Sequence, residues 1–205
     1  MKTALSNLDK VEAFDALVAR VQACRLCPRM EGRRRVIGYA NGSPDARVLF
    51  VAEAPGRLGA ERDGKPLWGD RAGKNFRRLL KLSGLKRSEI FISNAVLCNP
   101  QNKDGNNSPP KTSEIKNCSR HMKSLLNIMK PKMVVTLGRK ALQSLNEVSS
   151  HEIDLRRDVA TPATWRKTAV VPLYHCGQQA MVTRPFEKQK EDYKFLKPFG
   201  ERSNG

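Results

Sequence analysis

The sequence is short of acid. Its 205 residues carry 20 Asp and Glu against 38 Lys and Arg, a formal net charge of +18 at neutral pH. Such an excess favours a polyanionic partner, nucleic acid above all. The basic residues are spread through "RMEGRRR", "KNFRRLLK" and the pair Lys130 and Lys132, which fits a broad binding face better than a single basic arm. No apolar run reaches membrane-spanning length, and "MKTALSNLDK" lacks the apolar core of a signal peptide, so a cytoplasmic location without a membrane partner is expected. The phosphate-cradle motifs G-x-G-x-x-G and G-x-x-x-x-G-K-[ST] are missing too, and "GKNF" at Gly73 lacks a hydroxyl residue after its lysine. That weighs against nucleotide hydrolysis. Cysteines number five, an odd count that argues against a disulfide framework in a chain with no export signal, and makes metal or cluster ligation the first guess.

What is present alternates between two periods. Residues 8–22 place Val11, Phe14, Leu17, Val18 and Val21 at helical spacing. "ARVLFVAE", "EIFISNAVLC", "KMVVTLG" and "KTAVVPLYH" are nearly continuous apolar runs, the mark of strands buried on both faces. Helices are predicted between them: "NFRRLLKLSGL", with Gly84 as C-cap; one capped by Thr112 or Ser113 and running to about Lys130; "RKALQSL"; and a closing "RPFEKQKEDYKFL". Residues 146–166 read as polar and irregular. The pattern predicts a three-layer α/β/α sandwich around a short, mainly parallel four-stranded sheet. One domain over residues 1–196 is expected, with 197–205 as a flexible tail and a monomeric state. Ligands of such sheets bind beyond the carboxyl ends of the strands, where Glu53, Asn94, Gly138 and His175 fall.

Each candidate motif has a plain alternative. Glu53 and Asp70 in one strand-end loop make a polar pocket, or ordinary turn residues. Cys24 and Cys27 form C-x-x-C; Cys98 lies at a strand end and Cys118 on a helix stripe with Ile115 and Met122. Four thiolates suit zinc or an iron–sulfur cluster equally, and Cys98 and Cys118 could simply be core thiols. Asn94 offers the donor and acceptor that match a nucleobase edge, or pairs with local backbone. His175 opens a Cys-Gly turn, and a lone strand-end histidine is more often structural.

In this order the pieces resemble an iron–sulfur member of the uracil-DNA glycosylase superfamily, from Cys24 to about Leu196. "CRLCPRM" and "IGYANGSPDARVLFVAEAPG" are similar to the UDGa branch. "APGRLGAERDGKPLWGDRAG" is closer to the UDGb branch, and "YHCGQQAMVTRPF" resembles the His-Pro-Ser motif with its downstream loop. The resemblance implies a four-iron, four-sulfur cluster on Cys24, Cys27, Cys98 and Cys118, and makes zinc the alternative. It implies hydrolysis of the N-glycosidic bond of uracil, or of other deaminated bases, in DNA, leaving an abasic site. Asp70 is then the main water-positioning acid with Glu53 in support. His175 stabilises the departing base, Asn94 reads its edge, and backbone around Ala54 to Gly56 holds it. Arg184, in "MVTRPF", contacts DNA phosphate or fills the gap left by the flipped base.

Three departures from the family stand out. Leu67, followed by Trp68, occupies the place of a stacking phenylalanine, so Trp68 is expected to compensate or the pocket to accept other bases. His175-Cys176-Gly177 replaces His-Pro-Ser, which should loosen the turn and remove a hydroxyl. The loop after Asn94 has no histidine, so covalent trapping through that route is not expected. Two other functions fit the same sequence: a binder of uracil-containing or abasic DNA that has lost catalysis, and a cluster-bearing electron-transfer or regulatory protein that binds nucleic acid.

Overall fold

The buried runs assemble into one sheet. In the computed structural model, which describes residues 7–197, β1 (Val48–Ala52), β2 (Ile90–Asn94), β3 (Met133–Leu137) and β5 (Thr168–Leu173) lie parallel in the order β2-β1-β3-β5. A fifth strand, β4 (Ala163–Trp165), adds antiparallel to the β5 edge. It falls inside the segment expected to be irregular. Three residues are too few to show an alternating pattern, and only Trp165 of the three is buried. The sheet therefore has five strands where four were expected.

Alternate side chains serve opposite faces, as strand geometry requires. Leu49, Val51, Phe91 and Val134 pack under α1 (Asn7–Gln22), α4 (Thr112–Met129) and α5 (Arg139–Asn146). Val48, Phe50, Ile92 and Val135 pack under α3 (Arg71–Leu82) and α7 (Phe186–Lys194). Each layer is keyed by an edge-to-face aromatic pair: Phe14 on Phe91 at 5.7 Å, and Phe50 on Phe76 at 5.3 Å. This is the expected three-layer arrangement.

Several boundaries move. The second strand stops at Asn94, although Ala95 and Val96 still donate to Ala52 and Glu53 of the neighbouring run, so Cys98 lies beyond the strand. Helix α3 begins at Arg71, four residues earlier than its apolar stripe suggests, because Asp70 caps it. Helix α4 does start at Thr112, but its entry is closed by the Glu114 carboxylate, which accepts the Lys111 N–H at 2.7 Å. The closing helix is α7, starting at Phe186 after Pro185, and a short helix not expected from the sequence, α6 (Gln178–Thr183), precedes it. A single turn, α2 (Ala60–Asp63), also interrupts the first loop. The expected tail, apart from Lys197, lies outside the described residues.

Candidate active site

The carboxyl ends of the four parallel strands open into a cleft of about 600 Å³. Glu53 follows β1, Asn94 ends β2, Gly138 follows β3 and His175 lies two residues past β5, and all four line it. The β1 loop adds Ala54, Gly56, Leu67 and Asp70. Glu53, Asn94 and His175 are far apart in sequence; the parallel register gathers them.

Asp70 holds the first turn of α3. Its Oδ1 accepts the Gly73 N–H at 2.8 Å. Its Oδ2 lies against two glycines: a Cβ on Gly56 would sit 2.9 Å from it and a Cβ on Gly59 2.8 Å. The glycines of this loop thus let a carboxylate approach the backbone. Leu67, in the left-handed region at φ 49°, turns its carbonyl onto Gly73, where a Cβ would come within 2.6 Å. Burial raises the Glu53 pKa above the usual glutamate range, opposed by the positive charge of Lys140.

His175 has a defined tautomer. The Gly177 N–H donates to its Nδ1 at 3.0 Å, so the neutral ring carries its proton on Nε2. Burial lowers its pKa, against the opposing pull of Asp70, and favours that neutral ring. A Cβ at position 177 would stand 2.8 Å from Nδ1, so glycine is what allows the contact. The turn is not loose: Asn75 Nδ2 donates to the Cys176 carbonyl at 3.0 Å, and the buried Cys176 thiol donates to the Ala72 carbonyl at 3.3 Å. Two hydrogen bonds thus tie to α3 a turn that was expected to be loose.

Asn94 is 3% exposed, and its Nδ2 has no hydrogen-bond partner among the described residues. Two expected residues stand apart from the cleft lining. The Trp68 ring lies under Lys65 Nζ, 3.8 Å from its centroid, and the Arg77 guanidinium, at 4.5 Å. It does not take the stacking place of the family's phenylalanine. Arg184 is held by Asp192 through Nε at 2.9 Å and Nη2 at 2.5 Å, leaving it little freedom to reach outward. On the same segment Val182 is 86% exposed, and its neighbour Thr183 lines the cleft. No sequence pattern marks Val182, because its exposure is a property of the fold.

The family model of the uracil DNA glycosylase superfamily matches residues 39–197. The chain belongs to the uracil-DNA glycosylase superfamily. Within it, the chain is 30% identical to the type-4 uracil-DNA glycosylase of Thermotoga maritima over 80% of its own length and 81% of that protein. It is 28% identical to the type-4 enzyme of Archaeoglobus fulgidus over 91% and 92%. The type-5 uracil-DNA glycosylase of Thermus thermophilus is 30% identical over 64% and 71%. The superfamily match contains the whole cleft and begins after Cys24 and Cys27.

Those two cysteines join Cys98 and Cys118 around a second cavity, of about 330 Å³. All four are free thiols, and burial raises Cys98 to about 11 and Cys118 to about 12. Among the described residues, no three His, Cys, Asp or Glu side chains are grouped as a single metal ion requires. Polar groups already face the sulfurs: Asn117 Nδ2 stands 3.6 Å from Cys27 Sγ and Arg120 Nη2 3.8 Å from Cys24 Sγ.

Proposed function

We propose that this protein excises uracil from DNA, hydrolysing the N-glycosidic bond of a flipped-out deoxynucleotide. The observation that carries the reading is the cleft itself, where a buried unpaired amide, a neutral histidine and two carboxylates line one continuous space beside a cationic helix. Cleavage puts positive charge on the sugar and negative charge on the leaving base. Asp70 Oδ2 positions water and stabilises the sugar cation, and Glu53 adds negative potential. His175 Nε2–H donates to the base oxygen where charge develops, and a neutral imidazole serves as that electrophile without a buried cation. Asn94 Nδ2 donates to a base carbonyl.

The backbone is held by charge. Arg71, Lys74, Arg78 and Lys81 recur on α3 at i, i+3, i+7 and i+10, all exposed, and Arg139 and Arg156 line the cleft. Val182 wedges into the gap left by the extruded base, in place of the Arg184 first expected there.

Cys24, Cys27, Cys98 and Cys118 line one cavity and supply the four thiolates of a four-iron, four-sulfur cluster, with zinc as the alternative occupant. A cluster takes one thiolate per iron and would brace the segments it joins; Asn117 and Arg120 would donate to its sulfur ligands. Purified protein should be brown and carry about four irons per chain; a colourless zinc protein would overturn this assignment. The activity is tested on a labelled duplex with one uracil, treated with alkali after incubation. Strand scission at the uracil is expected, and intact strands with cluster-loaded protein would leave the binder reading.

A further inference from the structure

One segment of the site has no core of its own. Helix α6 carries Val182, and none of its six residues is buried. So short a helix without a buried face cannot hold its place by packing. Its position is set where the chain leaves the fold and where it returns, and both points meet one side chain. Gln189 of α7 is 1% exposed. Its Nε2 donates to the Arg184 carbonyl at 2.8 Å and to the His175 carbonyl at 3.4 Å. His175 stands before α6, and Arg184 caps its end. The amide cannot turn over, because its oxygen would then face two carbonyl oxygens. That Oε1 is buried without a hydrogen-bond partner among the described residues. The donor is satisfied and the acceptor is not, an arrangement that packing alone does not favour. Other groups steady the same segment. Asp192 of α7 engages Arg184. From α3, Asn75 Nδ2 reaches the Cys176 carbonyl and stands 3.9 Å from Met181 Sδ, and Arg71 Nη1 donates to Gln178 Oε1 at 3.1 Å. Of these groups, only Gln189 bonds both His175 and Arg184.

We propose that Gln189 is a positioning residue that couples His175 to the wedge. One amide fixes the backbone of the histidine and the foot of α6 together, so seating Val182 in the duplex and aiming His175 Nε2 at the base become one event. The proposal rests on the uracil-excising reading. Gln189 touches neither base nor sugar; it acts through the two carbonyls it holds. Freed from that amide, His175 and α6 settle independently, and a displacement of about 1 Å at a reacting group costs up to about 100-fold in rate.

The test compares wild type, Gln189→Met and Gln189→Glu by single-turnover excision from a duplex with one uracil. NMR of the DNA-free proteins follows the histidine ring signals in parallel; the chain has three histidines, so that of His175 is separable. Methionine fills the space of the amide and donates nothing. Gln189→Met should lose about 10- to 100-fold in the maximal rate at saturating protein, and its His175 ring signal should shift. Val182→Ala should weaken duplex binding by a smaller factor in the Gln189→Met background than alone, because a displaced arm has less to lose. Gln189→Glu is read within one protein. Its carboxyl donates only when protonated, so its rate relative to wild type should climb as pH falls. That comparison stands even where the methionine variant fails to fold. An undiminished maximal rate with an unchanged His175 signal in Gln189→Met, or a rate ratio independent of pH in Gln189→Glu, would overturn the proposal. Failure of the wild type to excise uracil would defeat the proposed activity instead, and the His175 signal would still decide the role of Gln189.

Discussion

Asp70 does two jobs with two oxygens, and that makes it separable from Glu53 by mutation. Oδ1 caps α3 through Gly73, and asparagine caps a helix as well as aspartate does. Asp70→Asn should therefore keep the fold and lose about 10²- to 10⁴-fold in single-turnover cleavage, the range for a removed base. Glu53→Gln should lose less. The reverse order would make Glu53 the principal acid. His175 supplies a pH dependence of definite sign. Its folded pKa lies below the unfolded value of about 6.5, so the unfolded chain takes up its proton first. Stability from this group is complete above that value and is lost as pH falls through the folded pKa. Denaturant titrations across the acid range should show this limb in the wild type and not in His175→Gln, and cleavage should hold its rate to below the ordinary histidine range before falling.

At the scale of elements, the β1 loop and α3 form one unit, joined where Leu67 meets Gly73. Propensity alone says that Gly73→Ala should stabilise α3 by about 1 kcal/mol. The packing says otherwise, since the added Cβ would lie 2.6 Å from the Leu67 carbonyl oxygen. A lowered urea midpoint is expected, with cleavage reduced because the clash displaces the segment carrying Asp70. Helix α6 carries the other element-scale prediction. Val182→Ala should weaken binding to a duplex with a flipped base and leave the urea midpoint unchanged, because this side chain is solvated in the free protein. Equal affinity for the two proteins would remove Val182 as the wedge.

At the scale of the molecule, one ion pair ties the cysteine cavity to the cleft. Arg29, two residues past Cys27, grips Glu114 of α4 through Nε at 2.8 Å and Nη2 at 2.6 Å. The same guanidinium donates to Ser108 Oγ at 3.2 Å and to the Pro109 carbonyl at 3.2 Å, and both residues line the cleft. Glu114 is desolvated, yet the Arg29 hydrogen bonds and the Lys111 N–H hold its pKa below the usual range. Glu114→Ala strands a partly buried guanidinium and should cost about 3 kcal/mol, read as a fall in urea midpoint. Uracil cleavage should drop with it, because the loop carrying Asn107 and Ser108 loses its anchor.

The sequence by itself determined the sheet and the composition of the cleft. Short continuous apolar runs rich in β-branched residues point to strands covered on both faces, and parallel strands bring the residues just past their carboxyl ends to one edge. Glu53, Asn94 and His175 were legible for that reason, and Asp70 was legible as a residue of the same loop. Strand β4 was not, because three residues hold no period. Tertiary structure alone decided which atoms are left free. That Trp68 lies under Lys65 and Arg77, that Arg184 is engaged by Asp192 and that His175 keeps its proton on Nε2 all depend on partners distant in the chain or on the local backbone path. Hydrogen bonding and packing are settled by three-dimensional neighbours, and no spacing of residues encodes them.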